Sequence, residues 1–132
     1  MNGRNKAARA FVILGSLVLF ASAAIHSAAG FKVGFPALSA SNLAPQLQTG
    51  FRVVFLSVAW HWVVVAVVAL LAGLSQMSLR RILVLWCGLA VLFEAAVGAS
   101  MMGLFIGNEI IGTGGLLLFC GGLLFDQSRV QA

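Results

Sequence analysis

Long apolar segments separated by short polar ones dominate the pattern of residues along the chain. A helix that crosses a lipid bilayer needs about 20 apolar residues, and four segments reach or approach that length. Asn108 is expected to cap the fourth helix and to place Glu109 in its first turn, where the helix dipole favours an anion. The pattern predicts four transmembrane helices at about residues 10–30, 51–74, 82–106 and 109–125.

The one long connection in this pattern covers residues 31–50, and its glycines, prolines and Asn42 favour turns and helix starts. Pro45 suits the first position of a second helix that begins early. Because the connection is also apolar, we expect it to lie on the outer membrane surface or to cover the outer mouth of the bundle as a lid. The other two connections are short and predict antiparallel neighbours. The predicted fold is all-α, a single transmembrane domain forming an antiparallel four-helix bundle.

Composition strengthens the membrane interpretation. Of the 132 residues, 61% are hydrophobic and only 8% are charged, whereas soluble domains average about 25% charged residues. A chain this apolar needs the lipid bilayer as the solvent for its exterior. The net charge of +5 could suggest nucleic acid binding, but no basic stripe with interleaved aromatic residues is present. We therefore predict no nucleic acid partner.

The distribution of basic residues predicts the orientation, because cytoplasmic loops carry an excess of Lys and Arg. Six basic residues fall on the side of the two termini and two on the other side, so both termini are expected in the cytoplasm of a multi-pass protein of the cell (inner) membrane. The six are Arg4, Lys6, Arg9, Arg80, Arg81 and Arg129, and the two are Lys32 and Arg52.

The N-terminal segment also has features of a cleavable signal peptide. Basic residues precede an apolar stretch, and Ala21-Ser22-Ala23 resembles a cleavage site. The apolar stretch continues past that site to Gly30, which favours retention of the first helix.

Small residues recur at helical spacing and mark expected contact stripes, because helix association in lipid depends on close packing and polar contacts. These stripes fit contacts within one bundle, and they also fit the seam of a homo-oligomer or a larger membrane complex. The stripes are Ala95, Ala99 and Gly103; Gly114 and Gly121; Gly115 and Gly122; and Gly15, Ser22, His26 and Gly30.

Three ionisable residues lie inside the predicted membrane segments, where such groups are costly and usually face the bundle interior. His61 and Glu94 are expected at similar depth near the midplane, and we predict a contact between them. Ser57 lies one turn from His61 on the same face. His26 is expected about 9 Å closer to the outer surface. The pair fits a buried hydrogen bond that fixes helix register, and it also fits a proton-coupled or ligand-binding site.

Two further charged residues, Arg52 and Glu109, are expected at the outer rim of the bundle. Arg52 is about 180° around the helix from His61, so its side chain should extend to the lipid headgroups or meet Glu109.

No cofactor or metal is predicted. The height difference between His26 and His61 argues against a shared haem iron, and a metal site made of His26, His61 and Glu94 meets the same difficulty. The sequence contains no recognisable catalytic triad, phosphate loop or paired-carboxylate motif, so no catalytic residue is assigned.

The first half of the chain resembles a family of small bacterial four-helix membrane proteins of unknown function. The resemblance rests on His26 and Gly30, the stretch Phe35-Pro36-Ala37-Leu38, and residues 47–62 with Arg52 at the start of the second helix. In that family a first-helix histidine precedes a Gly-Trp-Pro-like element, and here Phe35 replaces the tryptophan. The resemblance implies a four-helix fold and a membrane location, and it implies no activity. The Ala-, Val- and Gly-rich composition fits a bacterial origin.

Three functions remain open on the sequence alone. The leading expectation is a non-enzymatic accessory or assembly subunit, supported by the small-residue stripes. The second is a small-ligand or proton-coupled transporter or binding module that uses a His61–Glu94 site. The third is a membrane enzyme that acts on a lipid or a quinone, with His26 and His61 as acid–base groups.

Overall fold

The computed structural model describes residues 3–126, and among these residues it contains helices and no strands. Four helical spans are long and apolar enough to cross a membrane, and the first of them runs from α1 through α2. The all-α prediction is therefore confirmed, and the chain is a multi-pass membrane protein by length and composition. The elements are α1 (Gly3–Ala29), a π-helical turn (Gly30–Gly34), α2 (Phe35–Ser39), α3 (Pro45–Leu74), α4 (Arg80–Met102) and α5 (Ile106–Leu124).

The predicted loop at residues 31–50 is wrong, because most of this segment is helical. The helix of α1 continues through the π-helical turn into α2, and α3 begins at Pro45, as its fit to a first helical position predicted. Pro36 lies inside this continuous helical span, just after the π-helical turn, where proline supplies no N–H to the helix. Pro45 starts a helix and Pro36 does not, and the non-helical connection shrinks to residues 40–44.

The boundary between the last two helices also differs from the prediction. α4 ends at Met102 because Gly103 adopts a φ of 78°, a left-handed conformation that suits glycine at a helix end. Gly103 is therefore a terminating residue and no part of a packing stripe. Asn108 does not cap α5, whose N-cap is Phe105. Instead, Asn108 Nδ2 donates a hydrogen bond to the Gly103 carbonyl at 3.2 Å. This hydrogen bond connects the start of α5 to the end of α4 across the turn.

Two glycine stripes on α5 allow close approach of the neighbouring helices. A Cβ at Gly121 would lie 3.1 Å from the Ala8 carbonyl oxygen of α1, and one at Gly122 would lie 3.0 Å from the Leu85 nitrogen of α4. Two helical turns earlier on α5, a Cβ at Gly114 would contact Leu19 of α1, and one at Gly115 would contact Leu92 of α4. The predicted α5 stripes thus serve contacts within one chain.

The same closeness occurs in the middle of α4. A Cβ on Gly88 would lie 2.5 Å from the Phe119 nitrogen and 2.9 Å from the Gly115 carbonyl oxygen. Both atoms belong to the α5 backbone, which cannot move aside as a flexible side chain can. Only glycine fits at this crossing of α4 and α5.

Arginine side chains close the helix ends beside this packed region. Arg9 Nη2 donates to the Leu74 carbonyl at the end of α3 (3.3 Å), and Arg4 Nη2 donates to the Leu123 carbonyl at the end of α5 (3.3 Å). The guanidinium of Arg80 lies 4.8 Å from the centre of the Phe125 ring. The last carbonyls of a helix have no intrahelical donor, so these arginines satisfy groups that would otherwise need water.

The helices therefore divide into two regions with different packing. In the first region, which we call the packed half, glycines and arginines bring the helices together. In the second, which we call the cavity half, the helices surround a cavity. The packed half comprises residues 3–19, 66–74, 80–92 and 114–125. The cavity half comprises residues 22–29, 55–62, 94–102 and 105–111.

Candidate functional site

A cavity of about 480 Å³ lies between α1, α3, α4 and α5 in the cavity half. Its walls are mostly aliphatic side chains and small residues, and a few polar groups converge on it. Pockets of this size and character commonly bind small molecules in proteins. The polar and indole-bearing lining residues are Ser22, His26, Trp62, Glu94 and Asn108.

Glu94 is the centre of the polar group. Its Oε2 accepts a hydrogen bond from the Trp62 indole Nε1 at 3.0 Å and lies 3.3 Å from His61 Nδ1. The predicted His61–Glu94 contact is thus confirmed as a contact between α3 and α4. The Trp62 donor was not predicted, and it gives the carboxylate two partners on one oxygen.

His61 does not point into the bundle, contrary to expectation. Its side chain is 46% exposed and does not line the cavity. Successive residues of a helix are about 100° apart, and the interior position of α3 is taken by Trp62, which is 4% exposed, while Trp60 is 68% exposed. Burial of the larger indole turns His61 to the edge of α3, where its ring reaches Glu94 from outside the cavity.

His26 is held in the cavity wall by aromatic contacts. Its ring stacks on Phe55 at 3.7 Å between centroids and meets the Trp62 ring edge-on at 5.1 Å. His26 Nε2 lies 3.1 Å from the Phe55 carbonyl oxygen. A carbonyl oxygen only accepts hydrogen bonds, so Nε2 carries a proton, and in the neutral ring Nδ1 is then an acceptor. Trp62 thus links His26 to Glu94 across the predicted difference in depth.

Three of the other predicted site residues lie outside the cavity. The exposed Ser57 hydroxyl donates to the Val53 carbonyl of its own helix at 2.8 Å, so this residue shares no site with His26 or Glu94. Glu109 is exposed in the first turn of α5, as predicted. Arg52 Nη2 donates a hydrogen bond to the Ser39 hydroxyl at 2.6 Å. This partner was not predicted, because Ser39 lies in α2, in the segment that was predicted to be a loop.

Asn108 and Trp62 are the site residues that the sequence did not assign to the cavity. The Asn108 side chain packs on Gly98, where a Cβ would lie 2.8 Å from Asn108 Oδ1. The sequence signal for Asn108 was a polar residue at the start of an apolar helix, and a helix cap explained that signal without a tertiary contact. A tryptophan at position 62 is compatible with a cavity wall, with packing and with lipid exposure, and the sequence does not choose among them because the choice depends on the rotation of α3.

The site can hold hydrogen bonds, one negative charge and a proton shared between neighbouring groups. Among residues 3–126, no three His, Cys, Asp or Glu side chains gather closely enough to hold a metal ion. The walls are mostly apolar, and an electrostatic contact is stronger against apolar surroundings than in bulk water.

The resemblance to small bacterial membrane proteins concerns residues that lie near this site, since His26 lines the cavity and Gly30 and Phe35 contact Phe55. It stays a prediction. The chain matches no protein-family model, and it has no significant similarity to a curated protein or to a solved structure.

Proposed function

We propose that the protein is a membrane-embedded binding protein for a small apolar or amphipathic molecule, which occupies the cavity half. One observation carries this proposal: a cavity of about 480 Å³ combines aliphatic walls with a converging group of Trp62, Glu94 and His26. An assembly subunit needs no such space. A ligand with an apolar body and a polar group would fill it.

Exposed apolar side chains at the cavity rim support entry from the lipid. Ile25, Met102 and Ile106 line the cavity and are also largely exposed. In a bilayer, these side chains would contact acyl chains, so an apolar molecule could pass from the lipid to the cavity without crossing water. The rim thus favours a lipid-soluble ligand over a small hydrophilic one.

The proposal includes an arrangement in the membrane. The helices would alternate in direction, because the start of α1 contacts the end of α3 through Val12 and Gly73, and its end contacts the start of α3 through His26 and Phe55. With the basic residues of both termini in the cytoplasm, the cavity would open in the outer leaflet of a bacterial inner membrane. Reporter fusions at each terminus test this orientation.

The assembly role predicted from the sequence is the alternative, and its main support is weaker than expected. The glycine stripes of α5 are occupied by α1 and α4 of the same chain. The enzyme alternative gains His26 in the cavity wall, but it loses His61 as a cavity group. The assembly role does not account for the space, and the enzyme alternative lacks the second cavity histidine on which it was based.

Quenching of Trp62 fluorescence tests ligand entry. Trp60 and Trp86 are exposed, whereas Trp62 is buried in the cavity wall. In the W60F/W86F variant reconstituted in vesicles, bromoundecanol should quench Trp62 along a saturable curve, because the bromine must occupy a finite site. In the W60F/W62F variant, Trp86 faces the surrounding lipid, and its quenching should follow the amount of probe in the membrane without saturating.

A matched pair of substitutions connects the signal to the cavity. Val58 lines the cavity one turn before Trp62, and Val64 lies exposed on the same helix. In the single-Trp62 background, Val58→Phe should abolish saturable quenching, whereas Val64→Phe should leave it unchanged. Non-saturable quenching of Trp62, or equal effects of the two substitutions, would contradict the proposed function.

A further inference from the structure

The cavity has an unbalanced set of ionisable groups. Glu94 is the one acidic side chain among the described residues that line it, His26 is the one histidine, and none of those residues is Lys or Arg. The eight basic residues of the chain thus supply no lining cation in the described part of the protein. Because the walls are apolar, an anionic ligand would lose its hydration without gaining a counter-charge from lysine or arginine.

One oxygen of Glu94 is left for a ligand. The contacts with Trp62 and His61 both involve Oε2, and within residues 3–126 Oε1 makes no hydrogen bond. Trp62 fixes the carboxylate from within the cavity wall, and His61 touches it from outside. Neither partner occupies the space inside the cavity in front of the carboxylate.

Aromatic rings lie beside this carboxylate. Trp62 and His26 line the cavity, and their rings meet at 5.1 Å. The face of an indole ring attracts cations, and ammonium groups are commonly recognised by aromatic side chains. A metal cation is disfavoured, because divalent ions need several oxygen, nitrogen or sulfur ligands, and the carboxylate has no second acidic neighbour in the cavity.

On the basis of the binding function proposed above, we propose that the ligand of this cavity is an amphipathic organic cation. Its ammonium group lies against the Oε1 side of the Glu94 carboxylate and beside the Trp62 ring, and its apolar part runs along the aliphatic wall to the exposed rim at Met102 and Ile106. An alkylammonium group is weakly hydrated compared with a metal ion, so the apolar cavity can accept it at lower desolvation cost. The negative charge of Glu94 and the apolar shape of the cavity thus both favour an amphipathic organic cation.

Three probes that share a bromoundecyl chain and differ in the head group test this inference. The heads are trimethylammonium, hydroxyl and carboxylate, and quenching of Trp62 in the W60F/W86F variant in neutral detergent reports binding of each. We expect the trimethylammonium probe to bind about 10-fold more tightly than the alcohol, since a desolvated cation–carboxylate contact supplies roughly one factor of ten. The carboxylate probe should bind most weakly.

Substitution of the acid locates the effect. Glu94→Gln should weaken binding of the trimethylammonium probe about 10-fold and leave the alcohol probe within about 2-fold. Glu109→Gln removes the same charge from an exposed position outside the cavity and should change neither affinity. Circular dichroism and the Trp62 emission maximum report whether each variant is folded. If Glu94→Gln does not fold, the affinities of the three probes for the W60F/W86F variant, which retains Glu94, test the cation inference.

The outcomes separate the two proposals. If the alcohol or carboxylate probe binds as tightly as the trimethylammonium probe, the cation inference is overturned and the binding function stands. If Glu109→Gln weakens the cation as much as Glu94→Gln does, the cavity carboxylate is not the recognition group and the inference also falls. If no probe gives saturable quenching, both proposals fail.

Discussion

The packed half and the cavity half are built from the same four helices. In the packed half neighbouring helices pack directly against each other, whereas in the cavity half they surround a cavity. In the packed half, backbone atoms of a neighbouring helix lie about 3 Å or less from the position that a Cβ would take on Gly88, Gly121 or Gly122. In the cavity half, the facing positions carry Trp62, His26 and Glu94, and Trp62 contacts both of the other two across the space that separates the helices.

The difference shows two ways of joining helices in a medium as apolar as their side chains. Lipid gives no hydrophobic drive for helix association, so close packing and hydrogen bonds must supply it. Glycine allows close packing and leaves no room for a ligand. Hydrogen bonds between longer polar side chains hold helices at a distance and leave room. Substitutions in the two halves can therefore test this division.

The α4–α5 crossing should be the most sensitive point of the packed half. Gly88→Ala places a methyl group 2.5 Å from the Phe119 nitrogen, so the helices must separate, at a cost of about 1–3 kcal/mol. Gly50→Ala is the control, because nothing lies within 4 Å of its Cβ position in α3. Unfolding in mixed micelles by a denaturing detergent measures both. An equal loss of stability for the two variants would show that the crossing is not close-packed.

In the cavity half, the largest effect is expected at the turn between α4 and α5. Asn108→Ala removes the hydrogen bond to the Gly103 carbonyl and should lower the free energy of unfolding by about 1–2 kcal/mol, since that carbonyl loses its side-chain donor. Thr113→Ala removes a hydroxyl bonded within its own helix on the exposed side of α5 and should have little effect. Comparable losses for both would assign no special role to Asn108.

A smaller effect is expected from the indole that holds Glu94. Trp62→Phe keeps an aromatic ring and removes the Nε1 donor, which should cost about 1 kcal/mol in a membrane protein. Trp60→Phe, on the adjacent exposed position, should change stability much less. If Trp60→Phe were the more destabilising, the rotation of α3 that places Trp62 inward would be wrong.

The smallest effect concerns the arginines of the packed half. Arg80→Lys keeps the charge and loses the planar group above the Phe125 ring, so we expect a loss of about 0.5–1 kcal/mol. Arg81→Lys makes the same change at the neighbouring position and should be nearly neutral. Because both variants keep their charge, the orientation in the membrane should not change. A difference in stability then reports the planar guanidinium of Arg80, which contacts the Phe125 ring and donates to the Ser75 carbonyl at 3.5 Å.

The helices were predictable because their cause is local. Hydrocarbon requires every backbone group to be bonded within its own segment, so each long apolar segment of this chain predicts a helix wherever its neighbours lie. The contact of His61 with Glu94 also followed from sequence, since two costly groups at one depth need a partner. The glycines, prolines and Asn42 of segment 31–50 predicted a loop, yet most of the segment is helical, with Pro36 inside the first span and Pro45 at the start of α3.

The four long apolar helices and the contact of His61 with Glu94 followed from local composition and spacing. Only the tertiary structure decided that Trp62 faces the cavity while His61 lies at its outer edge, and that Arg52 meets Ser39. The physical reason is rotation about the helix axis. α3 is apolar around most of its circumference, so no polar face fixes its rotation, and the packing of large rings against α1 and α4 sets it.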